Sequence, residues 1–254
     1  MINISSIVIA NNEGSNIRRC IESQLSCIDE IVILIDEKST DKTTEIANSY
    51  SKVKSAIVKW KGYSETKKEA ISLTSNDWVF WIDADEAFSK KLNEELLNFK
   101  NSVPTYFAYS VPRKAYFLGK WIKHCGWYPG RVIRLFNKNH ASFNSNNVHE
   151  NLNVNGKIGQ LVNDLEHYTD PSVSHYFIKF NTYTSLAARD LQKNGKRFHL
   201  SDLIIRPIVI FMKMYIIKLG FLDGIQGFIL SIFSTAYVFT KYSKFWELKR
   251  KESL

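Results

Sequence analysis

Apolar runs and amphipathic stretches alternate through the amino-terminal part of the chain. Ile4–Ala10 reads as a buried strand. Asn11-Asn12-Glu13-Gly14-Ser15 breaks it and puts Ser15 or Asn16 where a helix cap belongs. From about Asn16 to Leu25, Ile17, Ile21 and Leu25 recur at helical spacing. Ile31–Ile35 is a second apolar run and closes on Asp36. Ser39-Thr40-Asp41 then offers caps for a helix reaching about Tyr50. Ser55–Trp60 reads as a third strand, Ser64–Leu73 as a helix, Trp78–Ile82 as a fourth strand and Lys90–Lys100 as a helix. Strand and helix alternating at this rhythm predict an α/β fold: a mostly parallel sheet with helices on both faces. Ligands of such sheets bind beyond the carboxyl ends of the strands, where Asn12, Asp36 and Asp83 would converge.

The pattern then changes. Thr105–Phe117, with Pro104 and Pro112, reads as strand and loop. An aromatic, basic middle section follows, and Asn137–Asn147 is a turn-forming insert rich in Asn and Ser. From His175 the spacing is helical again. Leu203–Phe239 is the most apolar part of the chain, interrupted by Arg206, Pro207, Lys213, Lys218, Asp223 and Gln226. Its longest uncharged piece, Ile225–Thr240, has 16 residues, fewer than a bilayer span needs. The pattern predicts two amphipathic helices lying in a membrane interface, with Lys and Arg at headgroup level. A spanning helix, or packing on the protein's own core or a partner subunit, are the alternatives. The expected organisation is two halves of one α/β domain, 1–100 and 101–172, followed by a helical extension, 173–254.

Composition narrows this little. Hydrophobic residues make up 44% of the 254 and charged residues 23%, so the chain is globular. The net charge of +9 points to an anionic partner. The basic residues are scattered, which argues against nucleic acid. Cys20, Cys27 and Cys125 have no metal-like spacing and suit a reducing compartment. No signal-peptide pattern opens the sequence, so a cytoplasmic location is expected.

The chemistry concentrates where Trp78–Ile82 runs into Asp83-Ala84-Asp85-Glu86. Carboxylates at the end of a buried strand need a cation or a cleft, and the Asp-Ala-Asp spacing offers oxygens to one hard divalent ion. Asp36 can accept from a ribose or base. Lys67 can act as a point charge on a diphosphate. Arg131 and Arg134 suit a phosphorylated or carboxylated acceptor. His149-Glu150 offers a proton acceptor for a hydroxyl.

These residues carry a resemblance. Val8-Ile9-Ala10-Asn11-Asn12-Glu13, Asp36 with Ser39-Thr40-Asp41 and Thr43, and Asp83-Ala84-Asp85-Glu86 resemble the motif order of family 2 glycosyltransferases of GT-A fold. Phe117–Ile122, Gly126-Trp127-Tyr128-Pro129, Arg134-Leu135-Phe136, Val148-His149-Glu150, His167-Tyr168 and Lys218–Gly224 are similar to the lipopolysaccharide-core β-1,4-glucosyltransferase subgroup. Gly130, Thr66 and Lys68 depart from that pattern. The resemblance implies an inverting hexosyl transfer from a nucleotide-sugar, a UDP-hexose, to a lipid-linked glycan. It implies Mg²⁺ or Mn²⁺ at Asp83 and Asp85, with Asp85 also catalytic and Glu150 as general base. Ala10, Asn12, Glu13, Asp36, Lys67, Asp83, Ala84 and Asp85 would line the donor site. Trp127, Tyr128, Arg131, Arg134 and His149 would meet the acceptor. The protein would sit peripherally on the inner face of the cytoplasmic membrane. A non-catalytic nucleotide-sugar-binding or regulatory module of the same fold is the alternative.

Overall fold

The computed structural model describes residues 1–143 and 152–252. In chain order the elements are β1 (Ile4–Ala10), α1 (Ile17–Gln24), β2 (Glu30–Asp36), α2 (Thr43–Asn48), β3 (Val53–Val58), α3 (Tyr63–Ser72), β4 (Trp78–Trp81), β5 (Glu86–Phe88), α4 (Lys90–Lys100), β6 (Ala108–Val111) and β7 (Arg113–Phe117). Then come β8 (Lys120–Trp121), β9 (Val132–Asn137), β10 (Ala141–Phe143), β11 (Leu152–Val154), β12 (Ile158–Gln160), β13 (Leu165–Asp170), α5 (Val173–Lys193) and α6 (Leu200–Phe211). A π-helical turn (Met212–Ile217), a 3₁₀ turn (Gly220–Asp223) and α7 (Gly224–Glu252) complete the series. The chain forms two compact units, Met1–Arg113 with Arg131–His167, and Lys114–Gly130 with Tyr168–Leu254.

The first unit is built on a seven-stranded sheet of order β12-β6-β9-β4-β1-β2-β3. β1 to β4 are mutually parallel, and β9 runs antiparallel between β4 and β6. The continuous apolar runs are explained by burial on both faces. Along β2, Ile31, Ile33 and Ile35 enter one core with Ile17 and Ile21 of α1, while Val32 and Leu34 enter the other with Val79 and Phe136. Ser89 caps α4 by accepting from the Leu92 N–H, 3.1 Å away. β13 pairs antiparallel with β5, which sets His167 opposite Glu86.

In the second unit, Phe117, Ile122, Cys125 and Leu230 form one core, and Ala188, Tyr242 and Phe245 another. α7 packs on α5 and α6. Gly227 is required by close approach: a Cβ there would lie 2.0 Å from the Gly220 carbonyl oxygen. Leu230, Ser231, Tyr242 and Phe245 of α7 are buried, while Ile225, Phe228, Ile232 and Phe239 are exposed. Among the described residues, Gly220–Lys251 is the one helical segment long and apolar enough to cross a membrane. All three cysteines are buried and free. Burial pushes the Cys27 thiol up to about 12 and the Cys125 thiol to about 11.

Candidate active site

β4 delivers its acidic end into a closed turn. The Glu86 N–H donates to the Asp83 carbonyl at 2.9 Å, and the Asp83 N–H donates back to Glu86 Oε2 at 3.0 Å. Glu86 is fully buried. Such a carboxylate needs a cation, and β9 supplies it. Phe80 pairs with Leu135 across the antiparallel ladder, so the preceding residue, Arg134, reaches the turn. Its Nη2 donates to Glu86 Oε1 at 2.6 Å and to Asp83 Oδ2 at 2.5 Å, and its guanidinium lies 4.4 Å from the centre of the Trp81 ring. Trp81 Nε1 donates to the other Asp83 oxygen at 3.2 Å.

The charges respond in opposite directions. Burial would raise the Asp83 carboxyl, but Arg134 and Lys67 outweigh it and hold that group well below the usual carboxylate range. At Glu86 burial wins over Arg134, and the carboxyl is raised. Burial would lower Arg134, yet Asp83 and Glu86 raise it, so the guanidinium stays charged. Lys67, on α3 and almost wholly buried, sets its ammonium 3.3 Å from the Trp81 ring centre. Trp81 therefore carries a cation on each of two contacts and hands its indole N–H to Asp83.

Asp85 turns to a different neighbour: its Oδ2 is 3.4 Å from Nε2 of His167. The Nδ1 of His167 is buried and has no hydrogen-bond partner among the described residues. His167 appeared in the sequence only within a subgroup-like dipeptide. No spacing links it to Asp85; the β5–β13 register does. Ala84, between the two aspartates, and Ala10, at the end of β1, are both buried.

The ends of β1 and β2 are adjacent in the sheet, and their loops are stitched together. The Asn12 N–H donates to Ser39 Oγ at 3.1 Å, and Asn12 Oδ1 accepts from the Thr40 N–H at 2.9 Å. The Glu13 N–H donates to Thr43 Oγ1 at 2.8 Å, while Glu13 Oε2 accepts from the Asn16 side chain at 2.8 Å. Asp36 Oδ1 accepts from the Lys38 N–H at 3.0 Å and so shapes its own turn. The Asn12 and Asp36 side chains thus hold the rim of the crevice.

Beside the acidic turn lies a cavity of about 410 Å³ lined by Trp81, Asp83, Arg113, Arg131, Ile133 and Arg134. Three guanidinium groups around one carboxylate make it suited to an anion. Arg131 is anchored by the Leu161 carbonyl at 2.9 Å, and Arg134 is turned inward onto Asp83 and Glu86. Trp127 and Tyr128 belong to the second unit, where Trp127 packs edge-on to Phe117 and Tyr128 edge-on to Trp121. His149 and Glu150 lie outside the described residues.

Comparison with known proteins agrees with this architecture. The family model described as Glycosyl transferase family 2 matches residues 5–154. An uncharacterized glycosyltransferase of Rickettsia typhi is 33% identical over 262 residues, spanning 99% of this chain and 89% of that protein. The lipopolysaccharide core biosynthesis glycosyltransferase LpsC of Rhizobium meliloti is 27% identical over 250 residues, spanning 96% of this chain and 92% of that one. Among solved structures, a mannosyltransferase of Pyrobaculum calidifontis in complex with GDP-Man and Mn²⁺ superposes with a TM-score of 0.56 at 10% identity, covering 96% of this chain and 87% of that one. The fold is GT-A, and the chain belongs to glycosyltransferase family 2.

Proposed function

We propose that this chain is an inverting hexosyltransferase that moves a sugar from a nucleotide-sugar, a UDP-hexose, to a hydroxyl of a lipid-linked glycan of the lipopolysaccharide-core class. The observation that carries the reading is the acidic turn, where Asp83 is fixed by Arg134 and Trp81 while Asp85 faces His167. The likeness to LpsC over nearly the whole chain supports the acceptor class.

A divalent ion fits this donor set. Two ligands of an octahedral ion, each about 2.1 Å from it, stand about 3 Å apart, and the Asp85–His167 separation is 3.4 Å. Among the described residues no group of three or more His, Cys, Asp or Glu could hold a metal ion, so the assignment rests on Asp85 and His167 with phosphate oxygens of the donor as further ligands. We assign Asp85 and His167 to Mg²⁺ or Mn²⁺; Asp83, expected from the sequence as the second metal ligand, has its two oxygens engaged by Arg134 and Trp81, and we assign it instead to the donor's sugar or ribose hydroxyls. When bound, the ion neutralises charge on the leaving diphosphate. Lys67, whose charge acts on Asp83, would add a buried cation for the charge that develops on the leaving diphosphate. Arg134 keeps Asp83 ionised, so that it accepts hydrogen bonds and donates none. Asn12, Glu13 and Asp36, with Ala10, would form the nucleoside wall. Glu150 is our general base, taking the proton from the attacking hydroxyl, with His149 beside the acceptor; this assignment rests on the Val148-His149-Glu150 motif. Trp127, Tyr128 and Arg131 would meet the acceptor. We divide the chain functionally into a donor half, 1–100, an acceptor half, 101–172, and a membrane-facing extension, 173–254, at the inner face of the cytoplasmic membrane.

Thermal shift with UDP-, GDP- and dTDP-sugars, with and without Mn²⁺, tests the donor. A ligand that binds only the folded state raises the midpoint. The expected result is one nucleotide with a metal-dependent shift that His167→Ala and Asp85→Asn abolish. No shift with any sugar nucleotide would sink the donor assignment. Wild-type transfer by Glu150→Gln would remove Glu150 as base.

A further inference from the structure

We propose that the second unit carries a binding site for the phosphate headgroup of an anionic bilayer lipid, in the cavity between the 123–128 loop and the π-helical turn. The inference deepens the peripheral membrane contact proposed above and rests on that reading.

The charge distribution comes first. The second unit holds 16 Lys and Arg against 6 Asp and Glu, a net +10, whereas the first holds 18 against 19, a net −1. The whole positive excess of the protein therefore sits in the unit with the long apolar helix. Nothing in the donor chemistry of the first unit accounts for it.

Within that unit the charge is focused. A cavity of about 580 Å³ is lined by Lys123, His124, Lys213 and Lys218 together with Trp127 and Tyr128, and no carboxylate lines it among the described residues. The Lys218 N–H donates to the Lys213 carbonyl at 2.8 Å, closing a five-residue π turn. Lys213 and Lys218, at the two ends of that turn, are both exposed and both line the cavity. Neither has an ion-pair partner among the described residues. A phosphate entering the cavity would meet both ammonium groups as point-charge donors.

The facing loop is tied down by hydrogen bonds. Buried Asp223 accepts from the Lys123 N–H at 3.2 Å, from the His124 N–H at 2.9 Å, and lies 3.0 Å from the His124 ring. The Cys125 N–H donates to the Lys218 carbonyl at 3.0 Å, tying the loop to the π turn. Cys125 and Leu219 hold left-handed backbone, φ +57° and +54°, which non-glycine residues adopt only where the surroundings enforce it. The Asp223 carboxylate is thus engaged by the loop's backbone and the His124 ring, and it does not line the cavity.

An apolar stripe runs along the helical segment that supplies Lys213. Ile204, Ile208, Met212 and Ile216 recur every fourth residue, and all are exposed, Ile208 by 59%. A stripe of this kind beside lysines and interfacial aromatics matches a bilayer: acyl chains for the isoleucines, headgroup depth for Trp127 and Tyr128, phosphate for Lys213 and Lys218.

The test is co-sedimentation of the full chain with phosphatidylcholine vesicles and with vesicles containing equimolar phosphatidylglycerol. Wild type should prefer the anionic vesicles. A lysine at the surface is worth about fivefold in partitioning, so Lys213→Gln/Lys218→Gln should lose about 25-fold. The charge-matched pair Lys193→Gln/Lys196→Gln, outside the cavity, should lose much less. An equal loss in both pairs would reveal diffuse attraction and overturn the site, as would unchanged binding in the first pair. Displacement from vesicles by millimolar inorganic phosphate would mark a free-anion site and also overturn the proposal. Ile204→Ser/Ile208→Ser should weaken binding to both vesicle types; no effect would remove the apolar stripe from the interface. The donor thermal shift, read on the same preparations, separates failure of this site from failure of the transferase reading.

Discussion

Arg134 is the residue on which the acidic turn depends. Arg134→Met keeps the length and bulk of the side chain and removes the charge. The Glu86 side chain, which has no exposure at all, would then be left with the Asp83 N–H at 3.0 Å and with Arg113, 3.9 Å away. Asp83 is less vulnerable, because 42% of its side chain reaches solvent. The cost therefore falls mainly on Glu86, and breaking one partner of a buried pair typically costs about 3–5 kcal/mol. The Glu86 carboxyl is already raised by burial against the pull of Arg134, so losing Arg134 raises it further. A carboxyl with a raised folded-state pKa favours the folded state while protonated, and that contribution is lost as pH rises through the raised value. The deficit of Arg134→Met should be largest at alkaline pH and should shrink as pH falls toward the ordinary glutamate range. Adding Glu86→Gln should restore a large part of the loss at neutral pH, a coupling expected of residues in direct contact. Urea unfolding of the two variants and wild type, at pH 8 and pH 5, reads all three outcomes. A loss below about 1 kcal/mol for Arg134→Met, the size of an exposed ion pair, would refute the argument. So would a deficit independent of pH.

Two further outcomes follow from the same physics. Glu30 accepts from Ser5, Lys54 and Ser75, which outweigh its burial and hold it at about 2 instead of 4.5. Its stabilisation should be present at neutral pH and fade between about 4.5 and about 2, and Glu30→Gln should cost about 1–3 kcal/mol at pH 7 and remove that acid dependence; an unchanged urea midpoint would refute the role. In the second unit, a Cβ at Gly227 would lie 2.0 Å from the backbone oxygen of Gly220, so Gly227→Ala must displace α7 and should cost about 1–3 kcal/mol. A melting curve like that of wild type would show that the close approach is not needed.

Much of the fold was legible in the order of residues. β1, β2 and β4 are apolar runs because both faces of a parallel sheet are covered, and the break after Ala10 and the carboxylates after Ile82 mark where those strands leave the core. β9 was harder to read. It entered the sheet antiparallel, between β4 and β6, and nothing in Val132–Asn137 states its direction. The carboxyl-terminal apolar region was legible as helical and basic. Its division at a π turn and a 3₁₀ turn, with Leu219 in left-handed conformation, depends on packing against Gly220 and Gly227.

The candidate site divides in the same way. Local spacing determined that Asp83 and Asp85 stand at the end of a strand, that Lys67 falls on a helix, and that the chain has the motif order of its family. Which partner each charge meets was decided by tertiary structure. Arg134, read from the sequence as an acceptor contact, is buried on Glu86 and Asp83 because β9 pairs with β4. His167 reaches Asp85 because β13 pairs with β5. The physical reason is that a strand's own pattern specifies which face is buried, whereas the neighbour that satisfies a buried charge comes from a ladder closed between residues some fifty to eighty positions apart.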